Sequence, residues 1–64
     1  MKKGDTVNIT ATENELKLII PYQLSIDAIL ENRTATIHVL GKNESDVSTA
    51  LGLWIIPNKY LEKI

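Results

Sequence analysis

The apolar run Leu53-Trp54-Ile55-Ile56 stops at Pro57, and a short polar turn separates it from Leu61 and Ile64. Proline has no ladder donor and holds φ near one value, so the run cannot continue as a strand through it. The spacing predicts a strand, a tight turn over 57–60 and a short closing strand. The same stretch holds the only Trp of the chain and one of its two Tyr. An element so apolar has two faces. If Leu53 and Ile55 face one side, Trp54 and Ile56 face the other. In a small domain one face enters the core. The other is either covered, with the 41–52 segment and its Val47 and Leu51 folded over it, or left as an exposed patch for a partner or a second copy of the chain.

Sixty-four residues form one domain, here residues 1–64. So short a chain buries only about 60% of its unfolded surface. With no Cys there is no disulfide or thiolate metal site to support it. Aliphatic residues and one Trp, with no Phe, must supply the core, and self-association is a further source of stability.

Two further segments alternate clearly. In Thr6–Thr12, Val7, Ile9 and Ala11 alternate with Thr and Asn, and Gly4-Asp5 makes the turn before them. In Thr34–Leu40, Ala35, Ile37 and Val39 face in, and Thr34, Thr36 and His38 face out. Leu16–Ile20 alternates until Pro21 and reads as an edge strand or a strand-like loop arm. Ser25–Glu31 has two readings. As a helix, Ser25 caps it and Ile26, Ile29 and Leu30 share a face. As a strand, Ile26, Ala28 and Leu30 align, and a hairpin into the next segment follows. We take the strand. Residues 44–52 read as a loop with one helical turn, capped by Asp46 and ended by Gly52. The expected fold is therefore all-β, with strands near 5–12, 16–20, 25–31, 34–40 and 53–56. Its core contains Val7, Ile9, Ile26, Ala28, Ile37 and Val39. Five short strands suggest a small barrel, which removes its own edges.

The two ends of the chain resemble SH3-like barrels. Lys3-Gly4-Asp5-Thr6-Val7 looks like the Lys-Gly-Asp-hydrophobic start of an early strand, a feature shared with bacterial and phage barrels of the KOW type. Ile56-Pro57-Asn58-Lys59-Tyr60-Leu61 looks like the Ile-Pro-Ser-Asn-Tyr-Val signature before the last strand. The resemblance implies a five-stranded barrel, a 3-10 turn before the last strand, and a groove for proline-rich peptides to which Pro57 and Tyr60 contribute. The chain lacks the family's Ala-Leu-Tyr-Asp-Tyr segment and its Trp pair, and its acidic loop is reduced to Glu13 and Glu15.

Charge and motifs narrow the function. Seven basic and eight acidic residues give a net charge of −1, a weak footprint for phosphate binding. No apolar segment follows Lys2-Lys3, so export is not expected, and no segment has the length of a membrane span. A cytoplasmic protein is expected. The Asn-, Lys- and Ile-rich composition is that of AT-rich coding DNA, which points to a low-GC bacterium or one of its phages. His38 stands alone among threonines, so no metal site and no cofactor is expected. Ser48, Asp27 and His38 lack the strained turn of a nucleophile motif. Glu13/Glu15 and Glu44/Asp46 lie in polar stretches that read as solvated loops. Catalysis is not expected. The leading expectation is a protein-binding module whose patch contains Tyr22, Trp54, Pro57 and Tyr60, the partner being another protein or a second copy. The alternative is nucleic-acid association through Lys2, Lys3, Arg33, Lys42, Lys59 and Lys63.

Overall fold

The computed structural model describes all 64 residues. Its strands are β1 (Thr6–Ile9), β2 (Thr34–Val39), β3 (Glu44–Thr49), β4 (Gly52–Pro57) and β5 (Leu61–Lys63). Two helices, α1 (Glu13–Lys17) and α2 (Gln23–Glu31), lie between β1 and β2, and a 3-10 turn (Asn58–Tyr60) joins β4 to β5. The strands form one antiparallel sheet in the order β4-β3-β2-β1-β5. β4 and β5 are its two edges, so the sheet does not close into a barrel.

α2 stands where the strand over 25–31 was expected, and the end of α1 with the turn that follows it takes the place of the strand over 16–20. α1 begins with a reciprocal capping box. The Glu15 N–H donates to Thr12 Oγ1 at 3.2 Å, and the Thr12 N–H donates to Glu15 Oε1 at 2.8 Å. Two end donors that water would otherwise hold are thereby satisfied, and β1 is cut short at Ile9. α2 starts after Pro21, with Tyr22 in the extended conformation at its N-cap. Ser25 does not cap it; it lies buried in the first turn. The helical spacing of Ile26 and Ile29 puts both into the core, and Ala28 is only half-buried.

β3 stands where a loop was expected. Residues 44–49 are not a loop with a helical turn; they pair with β2 on one side and β4 on the other. The turn falls at Ala50-Leu51, and Gly52 supplies the positive φ of +110° that this hairpin needs. Val39, expected in the core, is 55% exposed. Ile37 opposes Val47 and Val39 opposes Asp46. Two steps on β2 thus match one on β3, making His38 the extra residue of a bulge that turns Val39 outward.

One face of the sheet carries Val7, Ile9, Ala35, Ile37, Val47, Ile56 and Leu61. Leu16, Ile20, Ile26 and Ile29 from the helical segment cover it, and all belong to one buried cluster. The opposite face is open. Arg33 ties the helical layer to β1: one guanidinium nitrogen donates to the carbonyls of Ile9 at 2.9 Å and Ala11 at 2.7 Å.

Candidate functional site

Of the four expected patch residues, the structure brings Tyr22 and Trp54 together. Their ring centroids are 5.9 Å apart with the planes tilted by 52°, a separation at which aromatic rings attract one another. Tyr22 comes from the N-terminus of α2 and is 63% exposed. Trp54 projects from the core-facing side of β4 and is half-buried against the cluster. Its indole Nε1 is shielded from solvent and has no hydrogen-bond partner. A buried donor left without an acceptor is unfavourable, and nothing outside the fold reaches this N–H in the present conformation.

Pro57 immediately precedes the 3-10 turn and Tyr60 is its last residue, and neither joins that pair. Pro57 lies three positions from Trp54 along β4, an odd offset, and so projects to the other face of the strand. Tyr60 is half-buried, and the Lys59 ammonium lies 5.1 Å from its ring centroid. Glu15 of α1 faces it. The Glu15 carboxyl is held below the ordinary carboxylate value, first by the Thr12 N–H, then by the Tyr60 hydroxyl, with a smaller contribution from Lys59. Tyr22 of α2 thus meets Trp54 of β4, and Glu15 of α1 lies within electrostatic reach of Tyr60, both along the side where the helical segment meets the chain running from β4 to β5.

The 3-10 turn is fixed by a residue that the sequence reading passed over. Asn58 Nδ2 donates to the carbonyls of Gly41 at 3.0 Å and Lys42 at 3.2 Å. Its Oδ1 accepts the hydroxyl proton of buried Ser45 at 2.6 Å, and Ser45 Oγ accepts the Gly41 N–H at 3.2 Å. Asn after a strand-ending Pro was the available signal, since Asn readily bonds local backbone.

The cations of the alternative reading are differently placed. Arg33 is half-buried and engaged with carbonyls, and Lys63 lies 3.7 Å from Asp5. Lys2, Lys3, Lys42 and Lys59 are exposed. No helix is long and apolar enough to cross a membrane. His38 is exposed on β2, and nowhere do three His, Cys, Asp or Glu side chains gather in metal-binding geometry.

Comparison with protein-family models, curated proteins and solved structures gives no match for this chain.

Proposed function

We propose that this chain is a non-catalytic, SH3-like binding module that engages another protein through the seam between its helical segment and the β4–β5 connection. The observation that carries the reading is the Tyr22–Trp54 pair. It joins an exposed ring to an indole whose N–H is buried without an acceptor. Aromatic anchors of this kind dominate protein interfaces, because they remove much apolar surface from water while losing few rotamers. The order of elements around the 3-10 turn and the pairing of first and last strands support the SH3-like assignment. Here a pair of helices stands between the first two strands. A bacterial or phage origin and a cytoplasmic setting fit the composition.

The test is affinity capture from a low-GC bacterial lysate, with the captured partner then titrated against variants. Tyr22→Ala should weaken binding at least about tenfold and leave the far-UV circular dichroism unchanged, with little dependence on salt. Loss of binding only in Lys2→Ala/Lys3→Ala, with a steep salt slope, would instead assign phosphate contacts and a nucleic-acid partner.

A further inference from the structure

The two edges of the sheet are unlike. β5 is three residues long and carries Glu62 and Lys63, with Lys63 near Asp5. Short length and charge are what keep an edge from pairing with another chain. β4 is six residues long, Gly52-Leu53-Trp54-Ile55-Ile56-Pro57, and has no charged side chain. Its outward-facing residues Leu53 and Ile55 are 50% and 56% exposed.

The backbone of β4 is free in a defined pattern. The Asn58 N–H donates to the Asn43 carbonyl at 2.8 Å, continuing the ladder beyond the Glu44–Pro57 pair. Hydrogen-bonded and non-bonded pairs alternate along an antiparallel ladder. Ser45–Ile56, Val47–Trp54 and Thr49–Gly52 are therefore bonded pairs, and Asp46–Ile55 and Ser48–Leu53 are not. The N–H and C=O of Leu53 and Ile55 consequently point away from β3, out of the sheet. Pro57 has the same parity, and its missing N–H leaves no idle donor there.

We propose that β4 is the seam of a homodimer, in which two copies pair β4 to β4 antiparallel about a two-fold axis at Trp54. That register sets Leu53 of one copy opposite Ile55 of the other. All four outward N–H groups then meet outward carbonyls, and the four aliphatic side chains form one cluster on the open face. A second copy is the occupant because the pattern is its own complement: the donors and acceptors match about the axis. The strand is also neutral, so it offers an acidic or basic peptide no charge to pair with. The net charge of −1 per chain adds little repulsion. A single strand seam lies at the small end of protein interfaces, so the dimer is weak, with a Kd on the order of 10–100 µM.

Sedimentation velocity of the full chain from about 1 µM to about 1 mM tests this, the range bracketing that Kd. A monomer–dimer equilibrium is expected. Ile55→Lys places a charge on each side of the axis, and Ile55→Pro removes an N–H that in the monomer meets only water. Each should raise the Kd about tenfold or more while the circular dichroism spectrum is retained. Glu62→Ala, on the opposite edge, and Tyr60→Ala, in the proposed partner site, should leave it unchanged. Amide exchange of the unmodified chain decides the matter even if a variant fails to fold. Leu53 and Ile55 amides should slow as concentration rises, and those of Trp54 and Ile56, already bonded to β3, should not. A chain monomeric at about 1 mM, a dimer indifferent to Ile55→Lys in a folded variant, or one that leaves the Leu53 and Ile55 amides unprotected would overturn the proposal.

Discussion

Ser45 donates its hydroxyl proton to the Asn58 side-chain carbonyl at 2.6 Å, joining the start of β3 to the turn that precedes β5. Ser45 is buried on the core-facing side of β3, so a local network takes the place of an aliphatic contact. Asn58→Ala removes an acceptor from Ser45 and donors from the Gly41 and Lys42 carbonyls at once. Leaving buried polar groups unpaired costs about 1–3 kcal/mol, and chemical denaturation should show a loss in that range. Ser45→Ala should cost less, because Asn58 keeps its bonds to the two carbonyls.

Gly41 should tolerate no side chain. A Cβ there would fall on the carbonyl oxygen and carbon of Glu44, backbone that is fixed by the β3 ladder. Gly41→Ala should therefore lower stability by about 1–3 kcal/mol through overpacking, read as a lowered Tm.

Ile37 opposes Val47 and is fully enclosed. Ile37→Ala should cost about 2–5 kcal/mol through lost transfer free energy and the cavity left behind. In a domain whose total stability lies near the low end of about 5–15 kcal/mol, the variant should be partly unfolded at ambient temperature. Val39→Ala, two positions on and exposed, should lie within about 0.5 kcal/mol of the parent. The contrast between the two measures the bulge at His38.

Glu15 should give the fold an acid-sensitive component. Its carboxyl titrates below the ordinary value in the folded chain, held there first by the Thr12 N–H and then by the Tyr60 hydroxyl. In the window between the two values the unfolded chain binds more protons, so stability rises with pH there. The contribution is complete above the ordinary carboxylate range and disappears as pH falls through the folded-state value. Glu15→Gln should flatten this part of the stability–pH curve, as measured by urea denaturation at a series of acidic pH values. An unchanged slope would show that another carboxylate carries it.

The parts of the fold visible in the amino-acid order are those where local alternation and final environment agree. β2 is legible because Ala35 and Ile37 alternate with threonines, and the tail is legible because Pro57 must end β4. The helices were open to recognition. Thr12-Glu13-Asn14-Glu15 has the capping-box spacing, and Ile26, Ile29 and Leu30 have a helical one. In so short a segment the strand reading of Ile26, Ala28 and Leu30 competed with it. β3 was not legible. Glu44-Ser45-Asp46-Val47-Ser48-Thr49 has one aliphatic residue, and its inward Ser45 is satisfied by Asn58, a partner well beyond any local window. For the same reason Trp54 and Tyr60 could be picked out as aromatics near the tail, but not assigned their separate neighbours, Tyr22 and Glu15.

β1 lies between β2 and β5, and the Thr6 carbonyl accepts the N–H of Ile64 at 3.2 Å. The meander β2–β3–β4 is made of neighbours and can zip as soon as its turns form. The β1–β5 seam joins the two extremes of the chain, and its loop-closure entropy is the largest of any strand pair. Nothing local can form Val7–Lys63 or Ile9–Leu61. That ladder can be made only when both Thr6–Ile9 and Leu61–Lys63 are present. The domain therefore has a clasp: the meander can fluctuate as a partial structure, but until the ends are fastened Ile9 and Leu61 cannot complete the core between them. Breaking the clasp from either side, at Ile9 or at Leu61, should release the same structure.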